Sequence, residues 1–321
     1  MLRTAILDDY QNVALSMADW SVLRDRIELT CFHDHIDDRD LDRLVERLRG
    51  FDCIVAMRER TRFGADLLER LPRLRLLVTT GGANAAIDIE AAARRGVPVC
   101  ATRSVPYPTT ELTWALILAL VRRIPQESAS LRAGGWQTGL GGQLQGGVLG
   151  ILGLGRIGTT VARIGQAFGM RVIAWSQNLT PEQAAAVQVE HVPKDALFEL
   201  SDVLSLHVAL SERTRGIVGA PELARMKRSA FVVNTARGPV IDEPALVAAL
   251  RAGTIAGAAL DVYEHEPLAP DHPFRTLDTL LMTPHVGYVT EGTYRVYFED
   301  VVEDIDAWLR GAPVRVLNRP V

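Results

Sequence analysis

The sequence predicts an α/β fold with two parallel-sheet domains, and three observations lead to that prediction. Short apolar runs alternate with amphipathic runs along the chain, as they do where parallel strands are joined by helices that cover the sheet. A glycine-rich turn at residues 153–158 stands between a strand-like run and a helix-like run. The 321 residues, of which 48% are hydrophobic and 23% charged, suffice for two domains with separate cores.

The residues before the glycine turn predict a first domain of about five strands. Its strand-like runs are 5–7, 29–32, 53–57, 76–79 and 97–100. Two amphipathic segments, 40–50 and 88–96, each begin with an aspartate and end with a glycine, which is typical of capped helices. The tail at 294–309 has apolar residues at helical spacing, and it is predicted to cross back and complete this domain.

The glycine turn predicts a dinucleotide site. It follows the apolar run 148–152, and a second strand-like run at 171–175 closes a βαβ unit around it. In such a unit Gly153, Gly155 and Gly158 have separate tasks: one makes the tight turn, one lets the backbone approach a pyrophosphate, and one lets the helix pack on the strand. The N–H groups at the start of the helix add a partial positive charge.

Four further strand-like runs bring the second domain to six strands, the number in a Rossmann sheet. They are 203–207, 231–234, 258–262 and 280–283. Ser176, Gln177 and Asn178 follow the second strand, at the place where an acid would select NAD and a base would admit NADP. Ser176 is therefore a candidate cofactor contact, and the choice between NAD and NADP stays open.

The composition argues against several classes of protein. A formal net charge of −4 with scattered Lys and Arg disfavours a nucleic-acid surface. The longest apolar stretch, 112–121, is about half of a membrane span and is predicted to be a helix buried between domains. The N-terminus predicts a first strand and no signal peptide. The three cysteines lie far apart in apolar runs, which indicates free thiols in a reducing compartment, so a cytoplasmic protein is expected.

Two polar clusters near the N-terminus are predicted to have structural roles only. His33, Asp34 and His35 read as a solvated loop, and no metal is expected there or elsewhere. The acidic cluster at 37–40 predicts the entry of a helix.

Three polar side chains follow later strands of the predicted second sheet. Arg237 follows the run 231–234, Glu266 follows 258–262, and His285 follows 280–283. Ligands bind outside the carboxyl ends of the strands in such sheets. A guanidinium binds a carboxylate bidentately, and a histidine exchanges a proton near neutral pH. Together they suit hydride transfer at a carbon next to a carboxylate.

Four ordered motifs resemble the signatures of the D-2-hydroxyacid dehydrogenase family. They are Gly-Leu-Gly-Arg-Ile-Gly at 153–158, Asn-Thr-Ala-Arg-Gly at 234–238, Leu-Asp-Val-Tyr-Glu-His-Glu-Pro at 260–267 and Thr-Pro-His-Val-Gly at 283–287. The resemblance implies two Rossmann-like, doubly wound domains. An NAD(P)-binding domain, 106–291, would be inserted into a flavodoxin-like substrate domain formed by 1–105 and 292–321.

The resemblance also implies residue roles. Arg237 would bind the substrate carboxylate and carbonyl, His285 would be the acid/base, and Glu266 would be its partner. Asp261 would meet the nicotinamide carboxamide. Arg237 and His285 would also contact the cofactor. Further positions would do so as well: Arg156, Ile157, His207, Val208, Ala209, Thr235, Ala236 and Gly287. Arg58, Gly81 and Gly82 would contact the substrate. Formate is disfavoured, because formate dehydrogenases of this superfamily carry a glutamine in place of Glu266.

The resemblance leaves the substrate and part of the function open. Ala83, Asn84 and Ala85 depart from the family's usual Gly-x-Gly-x-Asp form, and Tyr288 stands where a glycine is common. Glyoxylate or hydroxypyruvate would suit a small pocket, and 3-phosphoglycerate would use Arg58, Arg60 and Arg62. The chain ends without the regulatory domain of many phosphoglycerate dehydrogenases, so feedback by serine is not expected.

The resemblance also allows a second interpretation of the function, in which the chain is an NAD(H)-sensing binding protein of the corepressor type with little turnover. The family also favours NAD over NADP and implies a homodimer, for which the apolar and glycine-rich region 109–147 is the candidate interface. No nucleic-acid or membrane partner is expected.

Overall fold

The computed structural model describes residues 1–318 and divides the chain into two compact units. One unit comprises residues 1–105 together with the segment from 290 onward, and the other comprises 106–289. The border between residues 289 and 290 lies two residues before the border between 291 and 292 that the sequence predicts. Residues 319–321, the end of the predicted segment 292–321, lie outside the described residues.

Twelve strands and eleven α-helices are present in the described part of the chain. The strands are β1 (Leu2–Ile6), β2 (Ile27–Cys31), β3 (Cys53–Ala56), β4 (Leu76–Thr79), β5 (Val99–Ala101), β6 (Val148–Leu152), β7 (Arg171–Trp175), β8 (Glu190–His191), β9 (Val203–Leu206), β10 (Phe231–Asn234), β11 (Gly257–Leu260) and β12 (Leu280–Met282). The helices are α1 (Leu41–Leu48), α2 (Ala65–Glu69), α3 (Ile89–Arg94), α4 (Tyr107–Val121), α5 (Ile124–Arg132), α6 (Arg156–Ala167), α7 (Pro181–Ala185), α8 (Lys194–Leu200), α9 (Ala220–Arg225), α10 (Glu243–Ala252) and α11 (Glu291–Leu309). Short 3-10 helices lie at Ala14–Ser16, Trp20–Leu23, Gly238–Val240 and Pro273–Thr276.

The first unit contains a parallel sheet in the order β2-β1-β3-β4-β5, the flavodoxin-like order. Strands β3, β4 and β5 are buried along their whole length, as expected for a parallel sheet covered on both faces. Asp40 and Asp88 cap α1 and α3 through their side chains, which confirms both helix starts. The predicted tail helix is α11, and it packs on β4 and β5 within this unit.

The second unit contains a parallel sheet in the order β12-β11-β10-β9-β6-β7-β8. The six predicted strands are present, and the two-residue strand β8 adds a seventh that the sequence did not predict. Its residues, Glu190 and His191, form no apolar run, and they are strand only because they pair with Ile173 and Ala174 of β7. The order reverses between β6 and β9, so the loops after these two strands flank a switch point of the kind that binds ligands.

The apolar stretch 112–121 lies in α4, which packs against α6 and β10 of the second unit. Trp114, Leu116 and Ile117 of this helix are buried. No helix within residues 1–318 is long and apolar enough to span a bilayer.

Candidate active site

The glycine turn joins β6 to α6, and its three glycines lie in three different surroundings. Gly153 has a φ of 101°, and a Cβ on it would lie 2.8 Å from the carbonyl carbon of His207, so the turn after β9 approaches it closely. A Cβ on Gly158 would lie 2.2 Å from the carbonyl oxygen of Gly153, which lets α6 pack on the turn. Among residues 1–318, no heavy atom would lie within 4 Å of a Cβ on Gly155.

The open position at Gly155 fits a phosphate. Gly155 precedes α6, whose first-turn N–H groups, including those of Arg156 and Ile157, have no partner within the helix. These groups and the helix dipole favour an anion at this end. The space in front of the helix and its donors therefore suit a dinucleotide pyrophosphate.

Two neighbouring strands end beside this turn. The N–H of Gly153 donates to the carbonyl of Trp175 at 3.0 Å, which places Ser176 next in the chain at the edge of the candidate site. His207 follows β9 and leads into Val208 and Ala209. Burial lowers the pKa of His207 to about 4, so the ring is neutral at physiological pH, with Nε2 2.8 Å from Ser205 Oγ.

Arg237 is presented by a rigid turn after β10. The buried Asn234 side chain donates to the carbonyl of Arg237 at 2.9 Å and accepts from the N–H of Ala236 at 3.0 Å. A Cβ on Gly238 would lie 1.9 Å from the carbonyl carbon of Tyr263, so only glycine allows the turns after β10 and β11 to meet. Thr235 Oγ1 lies 2.8 Å from Thr113 Oγ1 of α4. The motif 234–238 is thus mainly a scaffold for one guanidinium.

Glu266 and His285 form a hydrogen-bonded pair. His285 Nδ1 lies 2.5 Å from Glu266 Oε2, and the two side chains are 24% and 30% exposed. The other carboxylate oxygen of Glu266 accepts from the N–H of Tyr263 at 2.9 Å. The ring of Tyr288 stands edge-on to that of His285, 5.6 Å between centroids. The histidine ring is therefore fixed by a carboxylate at one nitrogen and remains accessible.

Asp261 holds the loop that carries His285. Its Oδ1 accepts from Thr283 Oγ1 at 2.6 Å and from the N–H of Val286 at 2.8 Å, and its Oδ2 accepts from the N–H of Gly287 at 2.9 Å. Burial raises the pKa of this carboxyl, and these hydrogen bonds oppose the shift. A carboxylate has about four acceptor sites, and three are used inside the protein. This anchoring role could not be predicted from the sequence, because the donors lie more than twenty residues away from Asp261.

The predicted substrate residues lie in two adjoining loops of the first unit. Arg58, at a φ of 53°, donates its N–H to Thr80 Oγ1 at 2.9 Å and an Nη1 hydrogen to the carbonyl of Thr80 at 3.2 Å. Gly81 has a φ of 86°, and a Cβ on it would lie 1.6 Å from Arg58 Nη1. The N–H of Gly82 donates to Ser104 Oγ at 3.0 Å.

Asn84 joins the same two loops. This buried amide donates to the carbonyl of Arg58 at 2.5 Å and to Thr79 Oγ1 at 2.8 Å. Asn84 therefore has a structural role between the two loops.

One prediction for the first unit is wrong. His33, Asp34 and His35 do not form a uniformly solvated loop, because the His35 side chain is only 8% exposed and its Nδ1 lies 2.9 Å from Asp8 Oδ1. The sequence could not reveal this pair, since Asp8 precedes it by 27 residues. Within residues 1–318, no group of three or more His, Cys, Asp or Glu side chains is arranged to hold a metal ion.

The three cysteines are free thiols. Cys53 and Cys100 are buried and Cys31 is half-buried. Burial raises the pKa of the Cys31 and Cys53 thiols and that of Cys100 to about 12, so these groups are protonated and unreactive at neutral pH.

The Rossmann sheet and the groups at the carboxyl ends of its strands define a nicotinamide-dinucleotide oxidoreductase. Residues 114–287 match the family model described as D-isomer specific 2-hydroxyacid dehydrogenase, NAD binding domain. The chain is 40% identical to a glyoxylate reductase of Aeropyrum pernix over 289 residues, which cover 87% of this chain and 86% of that protein.

Two solved structures extend the comparison. A phosphoglycerate oxidoreductase from Vibrio cholerae O395 superposes with a TM-score of 0.92 at 38% identity, covering 97% of this chain and 100% of that one. A D-lactate dehydrogenase from Aquifex aeolicus, complexed with NAD and lactic acid, has a TM-score of 0.79 at 26% identity and covers 96% of each chain.

The chain belongs to the D-isomer specific 2-hydroxyacid dehydrogenase family. It is an NAD-dependent enzyme that transfers hydride between the cofactor and a 2-hydroxy or 2-oxo acid. The fold class, the family and the enzymatic function predicted from the sequence are confirmed.

Proposed function

We propose that Arg237, Glu266 and His285 carry the reaction, with a small D-2-hydroxy acid and its 2-oxo acid as the substrate pair. The observation that carries the proposal is the 2.5 Å contact between His285 Nδ1 and Glu266 Oε2. It commits one ring nitrogen to the carboxylate and leaves Nε2 as the proton-exchanging atom. An oriented histidine of this kind is the usual general acid/base near neutral pH.

In the direction of reduction, His285 gives a proton to the carbonyl oxygen of the substrate. NADH, when bound, supplies the hydride that adds to the carbonyl carbon. Arg237 binds the neighbouring carboxylate and polarises the carbonyl, because a guanidinium offers two parallel N–H donors. Glu266 balances the positive charge of the imidazolium before transfer and keeps the ring in place.

We assign the cofactor contacts to the loops around the switch point. Gly153, Gly155, Arg156, Ile157 and Gly158 would hold the pyrophosphate. Ser176 would meet the adenosine ribose, and the neutral His207 with Val208 and Ala209 would line the other side of the turn. Thr235, Ala236, Asp261 and Gly287 would lie along the nicotinamide half. Ser176 has no negative charge that would repel the 2′-phosphate of NADP and no positive charge that would bind it. We therefore expect NADP to bind more weakly than NAD, but still to bind.

For the substrate we favour a short 2-oxo acid such as glyoxylate. Tyr288, beside His285, replaces a small residue with an aromatic ring and reduces the room for a side chain. We also assign Arg58, Gly81 and Gly82 to substrate binding. The glyoxylate reductase relative supports this choice, whereas the phosphoglycerate oxidoreductase neighbour favours a phosphorylated acid.

We further propose a homodimer that acts in the cytoplasm. Leu131, Trp136 and Leu140 of the second unit expose 59%, 74% and 97% of their surface, and exposed apolar groups of this size are typical of subunit interfaces. Free thiols at Cys31, Cys53 and Cys100 suit a reducing compartment.

The test is a comparison of His285→Gln with the unchanged protein. Turnover of glyoxylate with NADH should fall by at least about a hundredfold, whereas the Kd for NADH, measured by fluorescence, should change by less than about twofold. Surviving turnover would overturn the assignment of His285. A screen of glyoxylate, hydroxypyruvate and 3-phosphohydroxypyruvate, each with NADH and NADPH, then identifies the preferred acid and cofactor.

A further inference from the structure

We propose that Asp8 and His35 form a positioning pair that holds the loop 58–61 in the conformation that receives the substrate carboxylate. This inference rests on the proposed role of Arg58 in substrate binding. It concerns residues that lie outside the Arg237, Glu266 and His285 site and that the family motifs do not include.

Asp8 connects three segments of the first unit. It follows β1, is 2% exposed, and has a φ of 58°, a conformation in which non-glycine residues are uncommon. Its Oδ1 lies 2.9 Å from His35 Nδ1, and its Oδ2 accepts from Thr61 Oγ1 at 2.8 Å. Its carbonyl accepts an Nη1 hydrogen of Arg60 at 2.8 Å. One residue thus ties the loop after β2 to the loop after β3.

The anchored loop is the one that presents Arg58. Thr61 and Arg60 are held from one side by Asp8, and Arg58 is held from the other by Thr80 and Asn84. Backbone strain is stored where the surroundings over-determine it and is often linked to function. Asp8 and Arg58 both have left-handed backbone conformations, so each depends on the hydrogen bonds described above to stay in that conformation.

The charge on His35 decides how firmly Asp8 is held. The ring is largely buried, and Asp8, Asp37 and Asp38 surround it. Asp37 is paired with Arg39, and Asp34 of the same loop with Arg47 of α1. Arg60 also faces Asp8 through its carbonyl. Burial lowers the pKa of His35, but the hydrogen bond and the three acids outweigh burial and raise it overall.

A protonated His35 donates a charge-assisted hydrogen bond to a buried carboxylate, which is stronger than a neutral one. As pH rises through the pKa of His35, the pair loses this bond strength and the loop 58–61 loses its anchor. Substrate binding should then weaken, while binding of NADH should not follow the charge on His35.

The experiment uses His35→Gln, with His33→Gln as the matched control. His33 is the neighbouring histidine, and its side chain is 46% exposed. Its Nδ1 lies 2.9 Å from the carbonyl of Asp9 and 3.8 Å from Asp9 Oδ2. Glutamine at 35 keeps a neutral donor but cannot carry charge. The measured quantity is the ratio of KM for glyoxylate between variant and unchanged protein at about pH 5.5 and about pH 9. Both the variant and the unchanged protein contain His285, so any contribution of His285 to KM cancels in this ratio.

We expect a KM ratio of about ten at the lower pH, falling toward one at the higher pH, with kcat and KM for NADH nearly unchanged. His33→Gln should give a ratio near one at both. A general structural defect would raise KM equally at both pH values. A ratio for His35→Gln that is independent of pH, or equal to that of His33→Gln, would overturn the inference.

A second variant and a second measurement keep the test decisive. Thr61→Val removes the donor to Asp8 Oδ2 and should raise KM while leaving its pH dependence in place. Hydrogen exchange of residues 57–62 should be faster in His35→Gln than in His33→Gln, and equal exchange would contradict the anchoring even if no oxo acid were turned over.

The variant Arg58→Gln distinguishes the positioning role of Asp8 and His35 from the substrate role of the loop 58–61. If it raises KM and His35→Gln does not, the positioning pair is wrong and the substrate role of the loop stands. If Arg58→Gln leaves KM unchanged, the proposed substrate role itself fails.

Discussion

At the scale of single residues, the Asp261 carboxylate links the strand β11 to the loop that carries His285. It accepts from Thr283, Val286 and Gly287, and a charged acceptor contributes about 1.5–3 kcal/mol per hydrogen bond. Asn at this position keeps one acceptor oxygen and brings an NH2 group against backbone donors. We therefore expect Asp261→Asn to lower kcat/KM for glyoxylate by about 10- to 100-fold.

The matched control for this prediction is Thr283→Val, which removes only the side-chain donor to the same carboxylate. Its kcat/KM should fall less than that of Asp261→Asn, because the two backbone N–H groups keep their acceptor. Steady-state kinetics and the thermal midpoint Tm of both variants decide the point. Equal rates for Asp261→Asn and the unchanged protein would show that the loop is held by other contacts.

The places of single residues could be predicted from the sequence where they depend only on neighbouring residues in the chain. Arg237, Glu266 and His285 follow apolar runs, and their places at strand ends could be read directly from the sequence. The partners of Asp8, Asn84 and Asp261 could not be read, because each depends on the spatial approach of loops that are distant in the chain. Gly238 looked like any turn glycine until the closeness of Tyr263 explained it.

At the scale of elements, Gly155 and Gly158 at the start of α6 allow the effect on cofactor binding to be measured apart from the effect on stability. A Cβ at Gly155 fits the protein but would occupy the space in front of the helix, and its φ of −88° is open to alanine. Gly155→Ala should therefore keep the free energy of unfolding within about 1 kcal/mol and raise the Kd for NADH at least about tenfold.

Gly158→Ala is the counterpart of this prediction. Its Cβ would lie 2.2 Å from the carbonyl oxygen of Gly153, so α6 must shift, and the free energy of unfolding should fall by about 1–3 kcal/mol. Denaturant unfolding and NADH fluorescence titration test both variants. Unchanged NADH affinity in Gly155→Ala would mean that the phosphate lies elsewhere.

Helix α11 contains a buried acid whose titration affects stability. Asp304 is fully buried, and within the described residues its Oδ2 has no hydrogen-bond partner, although Arg315 binds Oδ1. Burial raises the pKa of Asp304 to about 7. Since the folded state binds this proton more tightly than the unfolded state, the stabilisation is present below about pH 4 and is lost as pH rises toward about 7.

Asp304→Asn should remove this dependence. We expect the Tm of the unchanged protein relative to the variant to be highest at acidic pH and to decline as pH rises to about 8. Calorimetry across that range measures the difference. A constant difference would show that Asp304 is ionised throughout, held by Arg315.

Elements with a strong apolar or amphipathic pattern were predictable, and one with no such pattern was not. The run Val148–Leu152 and the capped helices α1 and α3 agree with the sequence patterns. Strand β8 consists of Glu190 and His191, and only the edge of the neighbouring strand β7 makes it a strand. Tertiary pairing, absent from the local pattern, decides such a case.

At the scale of the whole molecule, the proposed homodimer depends on apolar side chains after α4. Trp136 and Leu140 expose 74% and 97% of their surface. The double substitution Trp136→Glu with Leu140→Glu should give a mass of one chain, 35.2 kDa, in sedimentation equilibrium, whereas the unchanged protein should give twice that mass. A charge placed in an apolar interface is costly to bury, and this accounts for the expected dissociation.

The control for the dimer is Val22→Glu. Val22 lies in the first unit, outside region 109–147, and exposes 54% of its surface, close to the 59% of Leu131. It should leave the mass unchanged. A monomeric unchanged protein would overturn the dimer proposal.

The division of the first unit into two chain segments has a consequence for synthesis on the ribosome. Helix α11 covers β4 and β5, and the N–H of Ala101 bonds to the carbonyl of Arg315. Residues 1–105 therefore emerge without the helix that shields their sheet, whereas residues 106–289 emerge as one uninterrupted unit. Domains generally fold as units as they emerge. We therefore expect the unit that is translated first to fold last, with the apolar face of its sheet accessible to chaperones and to neighbouring chains until α11 has been synthesised.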